Sequence, residues 1–197
     1  DALKEKHNAA GKPTIKTVVE PRIEMKDMTL QTPDYSRTLI SGLNLAVKEG
    51  TGVIVMGRSG VGKSSLLRGL AGLWDSGTGT IVHPELGEMM FLPQTPYMLL
   101  GSLREQFTYP RSNATDAEIA EMSVRVGLPE NFIALKGGLD AEAKGLSLGE
   151  QQRVAFARLL LARPRYAILD EATSALDIPL EERLYTLLRE SGVTFIS

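Results

Sequence analysis

The stretch Gly57–Ser64 reads GRSGVGKS, and its setting constrains the chain more than any other feature. It follows a short apolar run, Gly52–Met56, and opens a helical stretch read over Lys63–Leu73. The glycines let the backbone bend with its amides pointing inward, and a helix start presents the positive end of its dipole. A loop of the form G-x-x-x-x-G-K-[ST] between a buried strand and a helix cradles a bound triphosphate. Gly57, Arg58, Ser59, Gly60, Val61, Gly62, Lys63, Ser64 and Ser65 are therefore the candidate nucleotide-binding residues. Lys63 would reach the β and γ phosphates, the Ser64 hydroxyl would join a Mg²⁺ shell, and Ser65 would add a backbone amide.

Apolar runs like Gly52–Met56 recur at Met89–Leu92, Tyr166–Leu169 and Val193–Ile196, each with the look of a parallel strand buried on both faces. Between them the pattern predicts helices over Asp116–Val126, Gly149–Ala162 and Pro179–Glu190. Thr115 with Glu118 makes a capping box, and Arg163-Pro164 stops the helix over Gly149–Ala162. Arg22–Val47 alternates loosely around a Pro33-Asp34 turn, as in an antiparallel hairpin. The expectation is an α/β fold: a mostly parallel sheet flanked by helices, an antiparallel β edge, and a helical insertion at about residues 95–163. Residues 1–20 mix charge with Ala, Gly and Pro and read as a linker, leaving 21–197 as one domain.

Composition enters as a set of exclusions. A net charge of -2 gives no basic excess for holding nucleic acid. The absence of cysteine and the presence of two scattered histidines leave no thiolate or histidine-rich metal site. No apolar run approaches the roughly 18 residues that span a bilayer.

Tyr166–Glu171, YAILDE, ends an apolar strand in two carboxylates whose side chains point to opposite sides. Asp170 is placed to hold Mg²⁺ through water, and Glu171 to orient and deprotonate the attacking water. A plain alternative is that both acids cap the segment that follows.

The phosphate loop and acidic strand end are shared by many nucleotide-binding families. The discriminating text is Leu146–Arg153, LSLGEQQR, in register with YAILDE and with Ser174–Asp177, SALD. Ser147 and Glu150 form a capping box on their own account. The arrangement resembles the signature sequence of ATP-binding cassette proteins, usually LSGGQ; Leu148 stands here at its third position and Glu150 at its fifth.

The resemblance implies a P-loop ATPase core that uses ATP and Mg²⁺ and works as a sandwich of two cassettes. Ser147, Leu148, Gly149 and Glu150 form the signature, with Ser147 and Gly149 contacting in trans the γ phosphate held by the partner copy. It places Gln94 as the glutamine that touches Mg²⁺ and senses the transport domain, beside Ser64 and Asp170. Asp177 falls in the turn that signals between the two sites, and a helix N-cap explains it equally well. Tyr35 lies about where an aromatic side chain stacks on adenine, and is equally a hairpin-turn tyrosine.

Phe91–Pro110 and Leu70–Trp74 further resemble the D-type half-transporters, peroxisomal acyl-CoA transporters and their bacterial and plastid relatives. That likeness implies a transmembrane domain in the same polypeptide before Asp1, with the cassette on the cytoplasmic or plastid stromal side. The apolar stretch Pro96–Gly101 suits a groove receiving a helix from that domain. The family's switch histidine follows the last strand, near where this chain stops, and neither His7 nor His83 can replace it. The expectation is that the chain binds MgATP and hydrolyses it weakly. A soluble cassette ATPase and a module with little hydrolysis are the competing readings.

Overall fold

A computed structural model describes residues 13–58, 60–110 and 112–197; Ser59 and His7 lie outside the described residues. The chain divides into two compact units, one within Asp1–Val47 and Met56–Glu85, the other within Lys48–Val55 and Leu86–Ser197.

The first unit is built on β1 (Lys16–Val19), β2 (Ile23–Gln31), β3 (Thr38–Val47) and β5 (Gly77–His83), in the order β1-β5-β2-β3. β1 runs parallel to β5, and the other pairs are antiparallel. Strand β2 buries Ile23 and Met25 and then Met28 and Leu30, so its inward phase changes once. The change occurs at a bulge: Asp27 has φ 46, and the pairing slips by one residue between Met25 and Met28. Because alternation has period two, one extra residue is what returns Met28 and Leu30 to the core. Gly79 faces that bulge, where a Cβ would lie 2.6 Å from the Asp27 carbonyl oxygen.

Helix α1 (Lys63–Leu70) turns Leu66, Leu67 and Leu70 inward. At Gly69 a Cβ would just touch Ile81 and Leu30, at 3.5 and 3.9 Å. The helix ends three residues short of the Leu73 expected from sequence. Gly72 (φ 72) breaks it, and Leu73 donates its amide back to the Arg68 carbonyl at 2.8 Å. Residues 13–20, expected to belong to a linker, instead carry β1, whose ladder with β5 satisfies their backbone.

The second unit holds a parallel sheet of β4 (Gly52–Val53), β6 (Met89–Leu92), β7 (Tyr166–Leu169) and β8 (Thr194–Ile196), in the order β4-β8-β7-β6. The apolar runs for β6, β7 and β8 fall where sequence places them, and β7 is buried throughout. Gly52–Met56 does not: only Gly52 and Val53 form the strand, while Ile54 and Met56 are 62% and 88% exposed. Among the described strands β4 is an edge, paired with β8 alone, so an apolar run here does not mean burial on both faces. Phe195 of β8 lies over Gly52, where a Cβ would sit 2.1 Å from its ring.

The helices of this unit are α2 (Leu103–Thr108), α3 (Asp116–Arg125), α4 (Phe132–Leu135), α5 (Leu148–Ala162) and α6 (Ile178–Glu190). Phe107, Ile119, Phe132, Val154, Phe156, Leu159, Leu184 and Leu188 pack into one core with the sheet. Capping boxes start α2 at Ser102/Glu105, α3 at Thr115/Glu118 and α5 at Ser147/Glu150. Asp177 caps α6, accepting the Leu180 amide at 2.9 Å. At the end of α5, Arg163 takes a left-handed φ of 45 before Pro164.

Candidate functional site

In the first unit, the loop before α1 is shaped by its glycines. Gly60 and Gly62 have φ 78 and 104, and a Cβ on Gly62 would lie 3.0 Å from that of Leu39. Gly62 is the N-cap of α1, and no side chain caps the helix. The ladder begins with the Leu66 amide on the Gly62 carbonyl, so the amides of Lys63, Ser64 and Ser65 have no acceptor within the helix. Lys63 folds back over the loop, its Nζ donating to the carbonyls of Gly57 at 2.7 Å and Arg58 at 3.1 Å. Gly57 is confined by Val61, 3.1 Å from where a Cβ would be. Arg58 and Val61 face solvent, while Ser64 and Ser65 are half-buried. No acidic residue occupies the first turn. An uncapped helix start, inward amides and one ammonium make a cradle for a multiply charged anion.

Tyr35 lies in the turn between β2 and β3 with φ 61, and its hydroxyl donates to the Pro13 carbonyl at 3.0 Å. Its ring is half-buried.

In the second unit, β6 and β7 run parallel with Leu92 opposite Leu169, and the Asp170 amide donates to the Leu92 carbonyl at 2.8 Å. Their carboxyl ends therefore emerge side by side, with Gln94 following β6 and Asp170 and Glu171 following β7. Asp170, just past the end of β7, is 4% exposed, whereas Glu171 is exposed to solvent. Glu171 also has a left-handed φ of 51, a conformation that costs a non-glycine residue on the order of 1 kcal/mol or more and concentrates at reactive sites. Its carbonyl accepts the Ser174 amide at 3.1 Å.

The capping box at the start of α5 has an ion-pair partner outside the box. Glu150 accepts the Ser147 amide at 2.7 Å and donates its own amide to Ser147 Oγ at 3.3 Å. It also meets Lys136 at 3.2 Å, both side chains being mostly buried. Lys136 in turn lies 5.5 Å from the centre of the Phe132 ring. Burial pushes the Glu150 carboxyl up, but the hydrogen bonds from Ser147 and Lys136 outweigh it and hold the carboxyl below the usual range. Leu148, at the position usually glycine in the resembling family, is 39% exposed and so needs no small side chain for packing. At Gly149 a Cβ would meet only the Ala175 carbonyl oxygen at 3.4 Å and Leu176 at 3.6 Å.

Two residues not singled out from sequence take part. Lys136 pairs with a glutamate 14 positions away, a spacing that carries no periodic signal. Gln152 links the backbone of Gln94 to the Ser174–Ala175 turn. It lies inside LSLGEQQR, which was the one available cue.

Among the described residues no three His, Cys, Asp or Glu side chains gather as a metal cage. The single Asp170 carboxylate of the second unit suits Mg²⁺, which is held by one or two carboxylates together with substrate phosphates.

Residues 40–174 match the family model described as ABC transporter. The chain is 52% identical over 188 residues to an uncharacterized ABC transporter ATP-binding protein of Synechocystis sp., covering 93% of this chain and 28% of that protein. It is 39% identical to the chloroplastic ABC transporter D family member 2 of Arabidopsis thaliana, covering 90% of this chain and 32% of that one. It is also 39% identical to the human lysosomal cobalamin transporter ABCD4, covering 88% and 31%. The chain thus spans about a third or less of these relatives. Among solved structures, a bacterial Atm1-family ABC exporter with ATP bound superposes with a TM-score of 0.75 at 28% identity, over 99% of this chain and 38% of that one.

Proposed function

Since the chain belongs to the ABC transporter family, as its ATP-binding domain, we propose that it is the MgATP-hydrolysing motor of a D-type half-transporter and acts as a face-to-face pair of cassettes. The observation that carries the reading is the loop Gly57–Ser64 in its strand-to-helix setting, with Gly62 left-handed at an uncapped helix start and Lys63 folded over the loop. The amides of that loop and Lys63 take the phosphates, which lie where the helix dipole favours negative charge. Ser64, Gln94 and Asp170 serve Mg²⁺, which supplies charge neutralisation on the phosphate oxygens when bound. Asp170 is held rigidly for this by its buried place at the end of β7. Glu171, exposed and backbone-strained beside it, is the group that orients the attacking water and accepts its proton.

Ser147 and Gly149 lie at the start of α5, where Ser147 and Leu148 are exposed. In the paired arrangement they contact the γ phosphate of the other copy. Tyr35 is offered as the adenine-stacking residue, and Asp177 as the signalling aspartate of the turn before α6. The transmembrane domain is proposed to belong to the same polypeptide, with the cassette facing cytoplasm or plastid stroma. Among the described residues no helix is long and apolar enough to cross a membrane. Exposed Tyr97 and Leu100 and half-exposed Tyr109 offer the apolar surface for a coupling helix.

The test is Glu171→Gln, which keeps size and hydrogen bonding but removes the base. With MgATP the variant should accumulate as an ATP-bound dimer on size-exclusion chromatography, with turnover lowered at least ~100-fold. Unchanged hydrolysis would remove Glu171 from that role.

A further inference from the structure

Gln152 stands in the second turn of α5 and is fully buried. A buried amide is costly unless its donor and acceptor sites are matched, and this one is matched three times. Its Nε2 donates to the backbone carbonyl of Gln94 at 2.8 Å and to Ser174 Oγ at 3.2 Å, and its Oε1 accepts the Ala175 amide at 3.0 Å. The partners lie 58, 22 and 23 residues away in sequence. One side chain thus joins the segment after β6, the segment after β7 and the helix that opens at Ser147.

Each of the joined segments carries a group of the proposed reaction. Gln94 is itself the tethered residue; Ser174 is hydrogen-bonded through its amide to the carbonyl of Glu171; Gly149 sits on the same helix against Ala175. We propose that Gln152 is a positioning residue for ATP hydrolysis, locking the backbone of Gln94 to the 174–175 turn so that the metal-side and water-side groups hold one geometry. This rests on the ATPase reading above. Gln152 is too deeply buried to touch nucleotide, so it acts on the reaction only through the groups it holds.

Gln152→Glu isolates the tether. It keeps the acceptor for the Ala175 amide and lets the Ser174 hydroxyl donate in reverse, but it sets an oxygen against the Gln94 carbonyl. The intact protein is assayed for MgATP turnover across a Mg²⁺ titration, for affinity toward a fluorescent ATP analogue, and for amide exchange. In the variant kcat is expected to fall on the order of tenfold to a hundredfold, as for a small misplacement of reacting groups. Half-saturating Mg²⁺ should rise several-fold, nucleotide affinity should hold, and exchange should quicken at residues 93–96 while the Ala175 amide stays protected.

Wild-type kcat and Mg²⁺ dependence in a folded Gln152→Glu protein would overturn the proposal. So would a fall in kcat that merely tracks lost folded fraction, with Mg²⁺ dependence unchanged. Should that variant not fold, Ser174→Ala, at an exposed position, removes one leg of the tether and should raise the Mg²⁺ requirement in the same direction; no shift there is equally fatal. A wild type that neither binds nor hydrolyses MgATP would instead sink the functional reading, and this role with it.

Discussion

Glu150 illustrates how much one side chain can settle at the start of a helix. It closes a capping box on Ser147 and draws in Lys136, so the hydroxyl and amide at the head of α5 are held by a carboxylate that is itself held. Its folded pKa lies below the ordinary carboxylate range, with burial opposing and the hydrogen bonds prevailing. The stabilisation is therefore present at neutral pH and is lost as pH falls through that lowered value. Glu150→Gln keeps the box but loses the charge. The difference in unfolding free energy between wild type and variant should be up to about 1 kcal/mol at pH 7 and should close as pH falls through that lowered value. Denaturant titrations across that range measure it, and a constant difference would show that the Lys136 pair contributes nothing. At this scale the Ser147 box was readable because it belongs to a local pattern, and the phosphate-loop residues, Asp170 and Glu171 could be singled out as candidates for the same reason. Lys136 and Gln152 were not assigned, because their partners come from distant segments.

Among the elements, those with punctuation read best from sequence. Thr115 with Glu118, Ser147 with Glu150, and Asp177 before Pro179 start their helices where the spacing indicates. Short α2 escaped notice although Ser102 and Glu105 give it the same box, since six residues show too little periodicity. Strand β5, GTGTIVH, escaped for a different reason: glycine argues against a strand interior, yet Gly77 and Gly79 are required there by the close approach of β2. The β2 bulge yields a sharp expectation. Deleting Asp27 makes the alternation continuous and keeps Met28 and Leu30 inward, so the melting temperature should change by only a few degrees. Deleting Thr29 instead turns Leu30 outward, at a cost of about 2 kcal/mol or more. Thermal melts of the two deletions decide it, and equal loss in both would contradict the bulge as the phase-setting feature.

For the whole molecule, the paired reading predicts complementation between variants. Lys63→Ala should silence the phosphate loop, and Ser147→Asp should preserve the helix cap while setting a negative charge against the partner's phosphate. Each alone should be inactive, whereas random mixing yields heterodimers with one complete site each, restoring roughly a quarter of wild-type turnover. No recovery on mixing would speak against contacts in trans. The coupling surface is tested by Leu100→Asp, at a fully exposed position, which should spare ATP binding and uncouple hydrolysis from transport in the full-length protein. Half-buried Leu99, whose backbone is clasped by Gln106, would confound that test with lost stability. The parallel sheet has a further consequence, one of time. Its edge strand β4 pairs only with β8, and the Gly50 amide bonds Thr194, 144 residues later. At ~5–20 residues per second the ribosome needs roughly 7 to 30 s to deliver that neighbour, so β4 waits unpaired for that interval. By then every strand of the mixed sheet, complete at His83, has long been made.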